Sequence, residues 1–406
     1  MKLKICVIPT WYPSSNNPFS GIFIRDHVES LAKQHQVSVL YPELCHFKQW
    51  FHLPAHSPVR EIVSNNLELW HIQRRKLPFF HNYSSLIPAS WSLNRYFSTY
   101  AKAAETVFNA HVAASGMPDL IHAHVTLPAG WAAVQLGQKH SLPVVISEHT
   151  FPNKAYEGNA YFRRMATDVL KRANQVIAVS SALADALKTE FGNIPVDTVG
   201  NVISARDFYC ASQRQRGREP FRFFSACVLL EDKGIQFLLR AAHQLLQFAI
   251  TDFEVIIGGD GPYKNALINE TNQLGLENHC RFVGMLPREQ MRARMHESNV
   301  FVLPSLCETF GMVVAEALLS GRPVIGTRCG GPEMLITPAT GVLVPPGDSF
   351  ALATEMARHY HGLYRYSSET LSASIINRFG NQAFLARMNE VYANMIRNHL
   401  PKKSAA

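Results

Sequence analysis

The sequence predicts an α/β protein of two doubly wound domains, each a parallel sheet with helices on both faces. Three observations predict it. The chain has 406 residues, and single hydrophobic cores stop growing at roughly 250–300 residues, so a chain of this length divides. Short apolar runs alternate with stretches of helical period, the pattern of strand–helix–strand units. The alternation starts afresh after residue 220, past a polar, basic stretch with little periodicity.

Leu3–Pro9 is an apolar run ended by Pro9 and by Tyr12-Pro13, and reads as a buried strand. After a Ser/Asn/Gly loop from Ser14 to Gly21, Ile24, Val28, Leu31 and Ala32 recur at helical spacing. Val37–Leu40 is the next strand, and apolar strands flanking a helix begin a parallel sheet. The segment from Phe47 to Tyr100 gives no readable pattern. Leu120-Ile121 leads into His122 and His124, then a Gly/Ala-rich helix from Ala129. Val144–Ile146 and Val176–Val179 are strands, and Ser180 or Ser181 caps a helix carrying Leu183 and Leu187. Residues 1–203 thus make an N-terminal domain, and 204–220 a linker. The second series runs through a strand at Phe221–Leu230, a helix at Ile235–Leu246 and a strand at Phe253–Ile257 with the turn Gly258–Gly261. Strands at Val300–Leu303, Val324-Ile325 and Val342–Val344 complete a domain over 221–380. Phe384, Met388, Val391, Tyr392 and Met395 mark a final helix within 381–406, packed on the body. A ligand of such a pair belongs at the C-terminal ends of the strands, in the cleft between domains.

Composition narrows the function classes. Hydrophobic residues are 47% and charged residues 17%, which excludes a disordered or coiled-coil chain. The formal charge of +8 suits an anionic partner without choosing among a phosphorylated ligand, an acidic membrane and a nucleic acid. Nothing beyond that charge supports nucleic acid, so none is expected. No run reaches the ~18 apolar residues of a membrane span, and the first strand lacks a cleavage site that would make it a signal peptide. The seven cysteines are scattered with no CxxC pair, which points to a reducing cytoplasm, and the histidines lack metal-site spacings. No metal and no cofactor are expected.

The densest chemistry lies in Pro304-Ser305-Leu306-Cys307-Glu308-Thr309-Phe310-Gly311-Met312-Val313-Val314-Ala315-Glu316-Ala317. A strand ends at Pro304 and a helix resumes at Met312, placing Glu308 in the loop and Glu316 on the second turn. The first N–H groups of a helix lack intrahelical acceptors and sit at its positive end, where an anion or a sugar oxygen can bind. A carboxylate can accept both hydroxyls of a vicinal diol. The plain alternative is a helix-terminal glutamate and a solvated one.

This run resembles the two-glutamate motif of retaining family 4 glycosyltransferases, which have the GT-B fold of two Rossmann-like domains facing a central cleft. The resemblance extends to Ile256–Pro262, Phe282-Val283-Gly284, Gly321–Thr327, Gly330–Glu333 and Gly341–Val344. At the front it includes Trp11-Tyr12-Pro13, Ser20–Phe23, Asp119–His124 and Glu148-His149. It implies that Glu316 binds the ribose of a nucleotide-sugar and Glu308 the donor-sugar hydroxyls. Backbone N–H groups at Phe310, Gly311 and Met312, continuing into Val313, would hold sugar and phosphate oxygens. Lys233 would neutralise the diphosphate, Gly21 would let the backbone approach the same phosphates, and Val283 and Gly284, in a loop from Val283 to Leu286, would border the base. His124 would lie beside the reacting sugar. By itself, a histidine after an apolar strand is more often a hydrogen-bonded structural one.

The implied function is transfer of a sugar to a hydroxyl of a glycan acceptor, lipid-linked, in bacterial surface or exopolysaccharide synthesis. Stereochemistry would be retaining and the reaction metal-independent, since no Asp-x-Asp pair occurs. The family's arginine shortly before the Lys-Gly pair is missing from Ser225–Lys233, leaving Arg25, Arg288 or another cation to complete the clamp. A non-catalytic nucleotide- or glycan-binding subunit and a sugar-nucleotide epimerase are the rival readings. Gly-Gly-Asp-Gly-Pro is not the G-x-G-x-x-G of a dinucleotide site, which counts against an oxidoreductase. Arg74–Tyr83 mixes cations with aromatics and suits an anionic membrane surface or a lipid-diphosphate-linked acceptor, hence a peripheral position on the inner face of the plasma membrane, or equally a solvated loop.

Overall fold

A computed structural model describes residues 2–45, 57–75, 89–152, 156, 159–204, 208 and 220–399. Most of the expected linker and most of Arg74–Tyr83 lie outside the described residues. The chain forms two compact units, one of residues 1–179, 183–202 and 385–406, the other of 180–182 and 203–384.

The first unit holds an eight-stranded sheet in the order β3-β4-β2-β1-β5-β6-β7-β8. Its strands are β1 Lys4–Pro9, β2 Gln36–Cys45, β3 Val59–Ser64, β4 Leu67–Arg75, β5 Leu120–His124, β6 Val144–Glu148, β7 Gln175–Ala178 and β8 Val196–Thr198. Neighbours are parallel except β3 with β4, which form a hairpin at the edge. Burial follows from that arrangement. β5 and β6 are buried along their whole length because helices cover both faces, whereas all six residues of the edge strand β3 are exposed. The helix Ala89–Ser115 packs with Phe97, Tyr100, Ala104, Val107 and Phe108 inward, and the Tyr100 hydroxyl donates to the Pro9 carbonyl at 2.8 Å.

The second unit holds six parallel strands in the order β11-β10-β9-β12-β13-β14. They are β9 Phe221–Ala226, β10 Phe253–Gly258, β11 Cys280–Gly284, β12 Val300–Leu303, β13 Val324–Thr327 and β14 Gly341–Val344. Phe223, Val255, Ile257, Val302 and Ile325 from the sheet meet Leu238, Leu239, Leu245, Leu352 and Met356 from the helices Ile235–Gln247 and Ser349–Tyr360 in one core. From β9 the chain winds to one side through β10 and β11, then returns to β12 and winds to the other. The order reverses beside β9, and the loops that leave there in opposite directions create the crevice at which such sheets bind ligands.

Three expectations are corrected. β9 stops at Ala226 instead of Leu230, because Gly259 and Gly261 pack against the next residues. The Leu229 N–H goes to the Asp260 carbonyl at 2.9 Å and its carbonyl takes the Tyr263 N–H at 3.0 Å. Val283 and Gly284 end the strand β11 instead of forming a loop. The helix expected from Ala129 starts at Trp131, after a turn over Thr126–Gly130.

Candidate functional site

In the second unit the site residues gather where the strand order reverses. β9 leads into Cys227–Leu230 and a short 3-10 turn, Glu231–Lys233, before the helix Ile235–Gln247. β12 leads into Pro304–Phe310 and the helix Met312–Leu319. The two loops are stitched by the Leu306 N–H to the Asp232 carbonyl at 2.8 Å. Gly234 makes this approach possible: its φ is 70°, and a Cβ there would lie 2.0 Å from the Pro304 carbonyl oxygen. The Glu308 backbone is held from its other side, donating to Cys329 at 3.1 Å and accepting from Gly331 at 2.6 Å.

These contacts bring Lys233 Nζ to 2.8 Å from Glu308 Oε2, with both side chains about four-fifths buried (21% and 19% exposed). Burial alone would pull the ammonium pKa down. The Glu308 charge and hydrogen bond, helped by Asp232, outweigh it and hold the group above its ordinary value. Burial pushes the thiols of nearby Cys227 and Cys329 up to about 12, so neither is a thiolate nucleophile at neutral pH.

Past Glu308, Phe310 is buried and Gly311 caps the Met312–Leu319 helix in a left-handed conformation, with no side-chain cap over its N-terminus. Val314, Ala315, Ala317 and Leu318 face the core. Met312, Val313 and Glu316 stay part-exposed on the opposite face, since residues three and four apart share one side of a helix. Val283 and Gly284 end β11, the edge strand on the far side of β10. The Gly284 carbonyl accepts the Gly259 N–H at 2.7 Å. Arg288 opens the next helix with its guanidinium 5.5 Å from the Phe208 ring centre.

In the first unit the strand order reverses between β1 and β5; Gly21 closes the loop that follows β1 and His124 ends β5. Gly21 caps the helix Ile22–Leu31 with φ 68°, and a Cβ would lie 2.4 Å from the Trp11 carbonyl oxygen. Only glycine fits, and the Trp11 carbonyl is the reason in this structure. Arg25, one turn on, is 3.8 Å from Glu29. His124 is fully buried, so a sugar meets it only if covering groups move. Its Nδ1 lies 3.0 Å from His149 Nε2, and His122 stacks on it at 4.5 Å. Burial first, and the neighbouring histidines second, hold its pKa well below the ordinary value, leaving the ring neutral.

Glu148, which the sequence offers only within the Glu148-His149 pair, holds this region together. Glu148, 2% exposed, accepts from the Thr126 N–H and hydroxyl at 2.9 and 2.6 Å and from the His149 and Thr150 N–H at 2.8 and 2.9 Å. It locks the loop after β5 to the loop after β6. Between them Val125 has φ 77°, a strained value for a β-branched residue that the surrounding bonds enforce. The visible signal was an acidic residue closing an apolar strand. A separate cavity of about 380 Å³, lined by Lys4, Gln36, Arg60, Glu68 and His111, opens at the opposite ends of the first unit's strands.

Residues 20–206 match the model described as Glycosyltransferase Family 4, and residues 221–361 the one described as Glycosyl transferases group 1. The chain belongs to the family 4 glycosyltransferases. This glycosyltransferase is 27% identical to TuaC of Bacillus subtilis (strain 168), named for teichuronic acid biosynthesis, over 88% of its own length and 90% of that protein. It is 28% identical to WcaL of Salmonella typhimurium (strain LT2), named for colanic acid biosynthesis, over 66% and 67%. Sucrose-phosphate synthase from Thermosynechococcus elongatus aligns with TM-score 0.75 at 20% identity, covering 97% of this chain and 100% of that one. Anabaena HepE in complex with UDP aligns with TM-score 0.69 at 19% identity, covering 97% and 100%. The glycosyltransferase therefore has the GT-B fold, with two Rossmann-like sheets. Among the described residues no helix is long and apolar enough to cross a membrane.

Proposed function

We propose that this glycosyltransferase moves a sugar from a nucleotide-sugar to a hydroxyl of a lipid-linked glycan during synthesis of a bacterial surface or exported polysaccharide. The relatives' names, for teichuronic and colanic acid biosynthesis, support the pathway class. The observation that carries the chemistry is the Lys233–Glu308 pair, held beside a helix N-terminus at the reversal point of the second sheet.

In this reading the diphosphate draws Lys233 away from Glu308, which turns to the sugar hydroxyls. The N–H groups of Phe310, Gly311, Met312 and Val313 hold phosphate and sugar oxygens, Glu316 takes the ribose, and Val283-Gly284 borders the base. The backbone at Gly21 approaches the same phosphates, with Arg25 or Arg288 supplying the further positive charge. The bond between the anomeric carbon and the phosphate oxygen breaks with its electron pair leaving on the diphosphate. Lys233 and the N–H groups stabilise that charge. The acceptor oxygen bonds to the same face, and its proton passes to the departing phosphate, so configuration is retained without a dedicated base. This reading gives no metal a part in the reaction, in keeping with the lack of an Asp-x-Asp pair in the sequence. The expected position is cytoplasmic, against the inner face of the plasma membrane.

Thermal unfolding with UDP-, GDP- and ADP-sugars in EDTA tests the donor half. A ligand that binds only the folded state raises the melting temperature. A shift with one base and none with the others is expected; no shift with any of them counts against the donor site.

A further inference from the structure

His27, His122, His124 and His149 come together around the end of β5. The His124 ring stacks between His122, at 4.5 Å, and His149, at 5.3 Å, and meets the edge of His27 at 5.4 Å. His122 is engaged on both sides, by the Tyr392 hydroxyl at Nδ1 and the Ser147 hydroxyl at Nε2, each at 2.8 Å. His124 is engaged on one. Its Nδ1 is 3.0 Å from His149 Nε2, while its own Nε2 and the Nδ1 of His149 are buried with no hydrogen-bond partner among the described residues.

Two neutral imidazoles that share one hydrogen bond fix each other's tautomers, because one nitrogen donates and the other accepts. If His149 donates, His124 carries its proton on Nε2 and His149 is bare at Nδ1. If His124 donates, its Nε2 is bare and the unshared proton sits on His149 Nδ1. Either way one buried N–H is left without an acceptor, a rarer and costlier state than a lone pair without a donor. On His149 that N–H would stay orphaned in a ring packed at 4.7 Å against Phe23 and at 6.1 Å against His27. On His124, itself fully buried, it would be satisfied once the covering groups move and a substrate oxygen arrives. The His149 backbone is itself fixed by Glu148 at 2.8 Å, so its ring is a fixed reference for the other.

We infer that His149 is a positioning residue of this glycosyltransferase: through Nε2 it sets the orientation and tautomer of His124, so that His124 presents Nε2–H as a donor to an oxygen of the bound sugar. The inference rests on the reading that His124 touches that sugar. It assigns His149 a function in transfer without contact with the reacting atoms.

The test uses full-length protein with 15N-labelled histidine at neutral pH, the His124 signals being assigned by their loss in His124→Gln. The wild-type spectrum should show His124 bare at Nδ1 and protonated at Nε2. His149→Leu should mix the tautomers. It should also slow hydrolysis of whichever of UDP-glucose, UDP-N-acetylglucosamine, GDP-mannose and ADP-glucose turns over fastest, by about 10–100-fold with KM little changed. His149→Gln, which can place an amide N–H near the same point, should recover most of the rate. A proton on Nδ1 of His124 in the wild type overturns the inference, and that spectrum decides even where the leucine variant fails to fold. So do unchanged His124 signals in a folded His149→Leu. A His124→Gln enzyme as fast as the wild type, with the wild-type spectrum as expected, overturns the reading of His124 and leaves the tautomer assignment standing.

Discussion

At Lys233 and Glu308 two charges hold each other at 2.8 Å until a ligand competes for both. The pair keeps each buried charge compensated while the site is empty, and the donor must offer both groups new partners to part them. Lys233→Ala removes the positive charge on the departing diphosphate, and we expect kcat to fall about 100–1,000-fold with a smaller change in donor affinity. It also leaves Glu308 four-fifths buried without its cation, so the melting temperature should drop by several degrees. Glu316→Ala acts differently. Its side chain is on the part-exposed face of the helix, and the loss should appear as about tenfold weaker donor binding with kcat largely kept. Steady-state kinetics and donor titration of both variants separate the roles, and wild-type kinetics in two folded variants would remove both assignments.

Among the elements, glycines decide whether loops can close on one another. Gly234, Gly259 and Gly261 each bring backbone so near another loop that a Cβ would lie 1.8–2.4 Å from a carbonyl oxygen. Together they hold the Cys227–Lys233 segment between the turn after β10 and the loop after β12. Gly234→Ala combines a positive φ with that clash, and we expect it to cost about 2–4 kcal/mol. Denaturant unfolding measures it, and a change below about 0.5 kcal/mol would mean that the loop re-forms without the close approach. The helix Asn381–His399 reaches the first sheet through Tyr392, whose hydroxyl meets His122 at 2.8 Å. Tyr392→Phe strands one buried nitrogen and should cost about 1–3 kcal/mol. Some elements were legible and missed: Phe97, Tyr100, Ala104, Val107, Phe108 and His111 recur at helical spacing, and Asn65-Asn66 between two β-rich runs marks the β3–β4 turn. The early end of β9 was not legible, because Cys227–Leu230 is as apolar as the strand before it and only packing against the turn after β10 stops it.

For the molecule as a whole, the buried histidines set the response to acid. Burial holds His27 at about 4 and His122 at about 3, and His124 and His149 well below their ordinary value. Unfolded histidines titrate near about 6.5, so above that pH both states are neutral and stability does not change. As pH falls below it, the unfolded chain takes up protons that the folded chain refuses, and each histidine removes about 1.4 kcal/mol per pH unit. Glu148, pushed up by burial against the pull of its hydrogen bonds, works in the opposite direction, since its folded form takes up a proton before its unfolded form does. Chemical denaturation between neutral pH and about pH 5 should show a steep loss of stability. His122→Gln should flatten that slope by about one proton's worth, and an unaltered slope would mean that His122 charges inside the fold.

The amino-acid sequence by itself determined the two doubly wound sheets, the family and the stretch that carries Glu308 through Glu316, because alternation, helical period and a contiguous loop–helix motif are local properties of the chain. Tertiary structure alone decided that Lys233 reaches Glu308 across 75 residues, that one carboxylate of Glu148 ties two strand ends together, and that four histidines from three segments share one buried site. Parallel strands joined by helical crossovers bring distant strand ends side by side, and no local pattern records which side chains will face each other there.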